Sequence, residues 1–386
     1  MIYIGIDVHK KKCVACLKNE KGRVITELEF ENKTSGFSKL LEKVEGKEAK
    51  AVMESTGNLW IRLYTALETA GVEVMLSNPS KTRVIAESKM QTDKVSARTL
   101  AELLRTGFIA ACYVPPAEVR ALRHLIRYRT KLVRDLTRIK NRIHSILDKY
   151  ELPTCECTDQ FGKGGLQWLR MILPLLDVED QFIMGSELDR IVYHQSRIED
   201  VSLRIAAKTV ETEDSLKADG TPSEPAIAED VVTLLTLIGV DYFTAMLFLY
   251  EIGDVTRFSS ASKLTSWLGL VPSVHQSGNT CYHGKITKKG SRLVRWALIQ
   301  SAQVAVQKDP HWREKFNRIS YRRGKQKAYV AIARELAVTM YHMLMNDEPY
   351  RYQREETTNR KLKKLNRLIK KAQTNQGEAP VQCFSS

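Results

Sequence analysis

The chain has 386 residues, 43% of them hydrophobic and 27% charged, and its sixty Lys and Arg against forty-five Asp and Glu leave a formal charge of +15. At roughly 150 residues per domain this length predicts two or three domains, and no apolar run approaches the roughly 18 residues of a bilayer span, so no membrane partner is expected. The basic balance favours a polyanion, with nucleic acid ahead of an anionic membrane surface because no lipid-anchor motif is present.

Met1 opens directly into an apolar strand pattern and shows no secretory signal. Seven cysteines, an odd number scattered along a long chain, point to a reducing cytoplasm rather than a disulfide framework. Cys13 and Cys16 form a CxxC and Cys155 and Cys157 a CxC. The first pair falls in a predicted strand, where that spacing turns the thiols to opposite faces. No second CxxC completes a zinc tetrahedron.

In chain order, residues 2–6, 13–17 and 24–30 read as three successive strands. A helix follows at 38–44, then a strand at 49–53 running into Glu54, a helix at 60–70, a strand at 72–76 and a helix from about 94 to 105. Three meandering strands followed by alternating helix and strand predict an RNase H-like α/β domain, not a doubly wound nucleotide binder, and Gly5 alone is no phosphate-loop fingerprint. In that order Asp7 ends the first strand, Glu54 ends the fourth, and Asp93 lies at the start of the last helix, so all three carboxylates reach one edge. Carboxylates gathered without Cys or His select hard cations, Mg²⁺ or Mn²⁺, and such ions assist phosphoryl transfer on nucleic acid. Taken singly, each acid also reads as a turn or helix-start residue.

Pro115-Pro116 ends this domain. Beyond it Leu122, Leu125, Ile126, Leu132, Leu136, Ile139 and Ile143 keep helical spacing, as a coiled-coil or bundle helix would. Its other face carries Arg120, Arg123, Arg127, Arg134 and Arg138 with few acids to pair them, which predicts a phosphate track more than a solvated face. A second amphipathic helix through Leu188, Ile191, Val201 and Ile205 is expected to return beside it as a helical hairpin. Residues 213–229, rich in acids, Gly and Pro, read as a linker. An apolar helical stretch, 231–253, is interrupted at Ile238-Gly239-Val240, and a Gly turn of that kind can offer backbone amides to phosphate. Further on, Gly269 and Pro272 stop a helix, Ser277 and Gly278 fall in a predicted exposed loop, and Lys285, Lys288, Lys289 and Arg292 form a basic turn suited to holding a phosphate. A bare loop Ser is by itself most simply a turn residue. The basic tail after 351 reads either as a nucleic-acid contact or as a solvated end, with disorder beyond Gln373.

Gly5-Ile6-Asp7-Val8-His9, Met53-Glu54-Ser55-Thr56-Gly57, Thr92-Asp93-Lys94-Val95, Leu268-Gly269-Leu270-Val271-Pro272, Gln276-Ser277-Gly278 and Lys285-Ile286-Thr287-Lys288-Lys289-Gly290 together resemble the insertion sequence one-ten family of transposases, in the same order over about residues 1–346. The resemblance implies an RuvC-like DEDD domain (1–114), basic coiled-coil helices (115–212), a linker (213–229), a serine transposase domain (230–346) and a basic tail (347–386). It implies Mg²⁺ or Mn²⁺ on Asp7, Glu54 and Asp93, and Ser277 as nucleophile in a covalent phosphoserine intermediate. It further implies donor and target DNA, a non-coding bridge RNA as guide, a homotetramer built as a dimer of dimers, and a prokaryotic, nucleoid-associated location. The family's fourth acid lies three residues after the third, and here Ser96 occupies that position, a poor substitute for a carboxylate on Mg²⁺. The rival readings are a resolvase-like metal nuclease without serine catalysis and an inactive nucleic-acid-binding protein.

Overall fold

The computed structural model describes residues 1–54, 57–85, 92–210, 227–277 and 280–377, and the chain forms two compact units, Met1–Pro116 and Ala117–Ser386. Most of the expected linker, 213–229, lies outside the described residues. In the first unit β1 (Ile2–Val8), β2 (Lys12–Lys18) and β3 (Val24–Glu31) are followed by α1 (Thr34–Val44), β4 (Ala49–Glu54), α2 (Trp60–Thr69) and β5 (Glu73–Ser77). Then come α3 (Pro79–Ile85), α4 (Asp93–Arg105) and the short β6 (Ala111–Cys112). The sheet order is β3-β2-β1-β4-β5-β6. The first three strands form an antiparallel meander, β1, β4 and β5 run parallel, and β6 closes the edge antiparallel to β5. Neither α3 nor β6 is visible as a pattern in the sequence.

The alternation in β1 explains why both of its faces are covered. Ile2, Ile4, Ile6 and Val8 pack with Phe37 and Leu40 of α1 and Leu63 and Leu67 of α2, each fully buried aliphatic side chain contributing about 1.5–3 kcal/mol of transfer free energy. On the other face Val14 and Cys16 meet Ala97 and Ala101 of α4, and Val52 meets Leu100 and Leu104. Cys13 belongs to the first of these cores and Cys16 to the second, so the CxxC cannot chelate one ion.

The second unit opens with α5 (Ala117–Leu147), a 31-residue helix about 46 Å long at 1.5 Å per residue. It continues with α6 (Lys163–Met171), α7 (Val178–Ala207), α8 (Glu229–Leu235), α9 (Tyr242–Ile252), α10 (Ala261–Trp267), β7 (Pro272–Ser277) and β8 (Thr280–Ile286). The last helices are α11 (Arg292–Lys308), α12 (Pro310–Arg323), α13 (Lys325–Asn346) and α14 (Glu355–Gly377). α5 and α7 are antiparallel, tied by Arg129 to Ser202 at 2.7 Å, Arg142 to Glu187 at 2.9 Å and Lys149 to Asp180 at 2.9 Å. One end of this pair shares a core with the later helices through Ile126, Leu132, Val201 and Ile205. The other end encloses its own core with α6, through Ile143, Leu169, Met184 and Leu188. The basic tail is also built in: Leu365 and Ile369 of α14 are buried in the same core as α8 to α13, because they recur at helical spacing on one face. Among the described residues no helix is long and apolar enough to cross a membrane.

Candidate metal centre and serine hairpin

Asp7 reaches the edge of the sheet because β1 carries its even-numbered residues into the aliphatic core and its odd-numbered ones toward α4. Gly5, two residues earlier, lets α4 lie directly on the strand: a Cβ there would stand 2.1 Å from the Ala97 carbonyl oxygen and 2.3 Å from the Ala101 nitrogen. The helix starts at Asp93, with Thr92 as its cap accepting a hydrogen bond from the Val95 amide at 3.3 Å. Because Thr92 does the capping, the Asp93 carboxylate is left to face the strand. Asp7, His9 and Asp93 each offer a ligand atom within 4.8 Å of the others. His9 Nε2 lies 3.4 Å from Asp7 and 3.2 Å from Asp93, and Lys12 Nζ stands 3.6 Å from Asp93 while also pairing with Glu29 at 3.4 Å.

Burial pushes the Asp7 carboxyl above its ordinary range; His9 pulls it down, Asp93 raises it and a hydrogen bond with Ser96 lowers it. Ser96 therefore stands one turn beyond Asp93 as a hydrogen-bond partner of Asp7. Glu102 does not supply the missing acid. It lies about 13 Å along the helix from Asp93, bound to Lys18 at 2.7 Å and to Arg105, which hold its pKa at about 2.

Glu54 follows Met53, whose Cα pairs with Ile6 in the parallel register, so Glu54 lies next to Asp7 at the same edge. It is not a member of the close triplet; Ser55 and Thr56 after it lie outside the described residues. His9 was missed as a site residue, although a period of two after Asp7 places it on the same side of the chain, and its imidazole changes the donor set from carboxylates alone to carboxylates plus nitrogen.

In the second unit the predicted loop around Ser277 is the end of a hairpin: β7 and β8 pair antiparallel, with Ser277 opposite Thr280. Gly278 and the Ser277 side chain lie outside what is described. The base of this hairpin is clamped. The Thr287 amide donates to Val271 O at 2.9 Å and that of Lys288 to Gly269 O at 3.1 Å, and Gly269, with φ +70°, approaches Lys289 so closely that a Cβ would sit 2.4 Å from its nitrogen. Arg295, only 9% exposed, donates to Leu268 O at 2.9 Å, Gly290 O at 3.2 Å and Lys289 O. Burial pushes its pKa down and Arg292 adds to this; the three backbone carbonyls satisfy the donors of the buried guanidinium. The basic turn of Lys285, Lys288, Lys289 and Arg292 is thereby fixed at the start of α11, which Ser291 caps.

Comparison with known proteins decides the family. Residues 4–151 match the DEDD transposase model of IS110 elements, and residues 232–317 match the model of the IS116/IS110/IS902 transposase family. The transposase for insertion sequence element IS1111A of Coxiella burnetii is 24% identical over 360 residues, covering 90% of this chain and 91% of its own. That for element IS1533 of Leptospira borgpetersenii is 25% identical over 365 residues, covering 91% and 97%. The chain belongs to the IS110 family of transposases.

As a transposase it is a DNA-recombination enzyme, and its basic helix α5 can be sorted residue by residue. Arg127 makes a bidentate pair with Glu251, 2.6 and 2.9 Å, and Arg123 donates to the carbonyls of Tyr250 and Glu251 at 2.8 and 3.2 Å. Both guanidinium groups thus brace α5 against the end of α9. Arg138 pairs with Asp135 on its own helix at 2.9 Å, and Arg134 is exposed. The charge run expected as one phosphate track is therefore divided between internal braces and solvent-facing cations.

Proposed function

We propose that this transposase cuts and rejoins DNA strands through a phosphoserine on Ser277, assisted by a divalent ion at Asp7, Glu54 and Asp93, with a non-coding bridge RNA choosing donor and target. The observation that carries the reading is the convergence of Asp7, His9 and Asp93 within 4.8 Å. The strand order supports an RNase H-like, RuvC-like first domain: a meander followed by parallel crossover strands delivers acids to one edge.

The donor set fits a divalent cation. Among the described residues His9 bridges the two carboxylates and Lys12 stands beside Asp93, and a carboxylate that burial holds above its ordinary pKa gains from a bound cation. A nitrogen beside the oxygens tilts the preference from Mg²⁺ toward Mn²⁺. When bound, such an ion neutralises and polarises phosphate oxygens. The chain's own residues do the rest. The Ser277 oxygen would attack phosphorus as the strand's 3′ or 5′ oxygen leaves as a hydroxyl, and a hydroxyl of the other DNA would later displace Ser277 in turn. Lys285, Lys288, Lys289 and Arg292 would hold the flanking phosphates. Exposed Arg134, Arg138 one turn beyond it and Arg120 nearer the start of α5 would add sequence-independent affinity. The homotetramer, a dimer of dimers, is part of the same proposal.

The test uses the full chain, labelled donor-end DNA, and transcript of the non-coding segment beside the gene. The wild type should yield a denaturation-resistant protein–DNA adduct that requires both the transcript and Mn²⁺ or Mg²⁺. Ser277→Ala should abolish adduct and cutting together, and Asp7→Asn should do the same. Continued cutting by Ser277→Ala would convert the reading to a metal nuclease; binding indifferent to metal, with no adduct under any condition, would leave an inactive binding protein.

A further inference from the structure

A cleft of about 630 Å³ opens in the second unit between α5, the turn at Ile238–Asp241, α11 and α14. Its size suits one small ligand or one nucleotide, and its chemistry is one-sided. Among the described residues Arg129, Lys308, Arg354, Arg360 and Lys361 line it against a single carboxylate, Asp241, which is already engaged as the cap of α9, accepting from the Thr244 amide at 2.8 Å. Two of the cations are held rigidly. Arg129 lies 4.1 Å over the Phe243 ring and donates to Ser202, and Lys361 donates to the carbonyls of Leu235 and Leu237 at 2.7 Å. Burial brings the Lys361 ammonium down to about 8, with Asp241 pulling it up and neighbouring Arg360 pushing it down. Arg354, Arg360 and Lys308 are exposed and make no ion pair with an acid among the described residues.

The wall contributed by α11 explains what the cations are for. Trp296, Gln300, Gln303 and Gln307 follow one another at spacings of four, three and four, so they share one face of the helix, and all four line the cleft. Trp296 is 43% exposed. A merely solvated helix face is ordinarily built from Glu and Lys pairs, and α11 contains no acid at all. An open indole face, a row of amides that can both donate and accept, and a rim of unpaired cations match an aromatic heterocycle linked to phosphate.

We propose that this cleft holds one unpaired nucleotide of a single-stranded nucleic acid, its base on Trp296 and the α11 glutamines and its phosphate between Arg354, Arg360 and Lys361. A duplex cannot present a base to such a cleft without unpairing it, so the site selects unpaired strands. It lies outside the unit carrying Asp7 and Asp93 and is independent of the metal reading.

The experiment measures equilibrium binding of the full chain, in EDTA, to fluorescein-labelled 12-nucleotide RNA and DNA single strands and to a matched duplex, by anisotropy at several salt concentrations. Trp296→Ala should weaken single-strand binding about 5- to 100-fold without changing the salt slope. Arg354→Ala with Arg360→Ala should weaken it and lower the slope by about 1. Trp296→Phe should restore most of the loss, which separates stacking from a folding defect, and duplex affinity should stay unchanged in all three. The single strand whose affinity falls further identifies the source as RNA or DNA. Single-strand affinity unaltered by Trp296→Ala, or an equal loss on duplex, would overturn the assignment, and neither result bears on adduct formation at Ser277.

Discussion

Gly5→Ala isolates the contact that brings the two halves of the acidic cluster together. The added Cβ would lie 2.1 Å from the Ala97 carbonyl oxygen and 2.3 Å from the Ala101 nitrogen, both backbone atoms of α4 that no rotamer change can move. Restoring ordinary contact at about 3.4 Å requires the helix to shift by about 1.3 Å, and overpacking of this kind costs about 1–3 kcal/mol, here at the upper end. For a unit of this size each kcal/mol lowers Tm by roughly 4–8 °C, so a loss of roughly 10–20 °C is expected. The same shift carries Asp93 away from Asp7 and His9, far beyond the ±0.2 Å tolerance of a coordination site. Isothermal titration with Mn²⁺ on the folded variant, below its lowered Tm, should therefore show at least a tenfold loss of affinity. A Gly5→Ala protein that keeps both its Tm within about 2 °C and its Mn²⁺ affinity would refute the claim that β1–α4 contact assembles this site.

Three other outcomes test the rest of the fold. Arg127→Ala leaves the Glu251 carboxylate, 3% exposed, without its bidentate partner and should cost about 3–5 kcal/mol in urea unfolding, whereas Arg127→Met with Glu251→Leu should recover most of that loss. Gly185→Ala, in the interior of α7 with nothing within 4 Å of the new Cβ, should raise stability by about 0.5–1 kcal/mol, seen as a higher Tm. Glu102, held at about 2 by Arg105 and Lys18, adds stability that is fully present above the ordinary glutamate pKa of about 4.5 and disappears as pH falls toward 2. The Tm gap between wild type and Glu102→Gln should thus be constant near neutrality and close between pH 4.5 and 2; a gap that widens on acidification would contradict the pairing.

The sequence by itself determined the strongly patterned elements and the family, but not α3, β6 or the β7–β8 hairpin. Alternation at Ile2, Ile4 and Ile6 is a property of neighbouring residues, so β1 and the carboxylate at its end could be read directly, as could the long α5 stripe, the break at Pro115-Pro116 and the order of motifs shared with transposases. What tertiary structure alone decided is which charges meet. His9 joins Asp93 across 84 residues of chain, Arg127 meets Glu251 across 124, and Arg295 gathers three carbonyls from two turns. A run of arginines looks the same in sequence whether each guanidinium faces a buried glutamate or open water. The difference arises only when packing removes water from one partner and not the other, since the strength of a charge pair depends on the surroundings that distant segments bring.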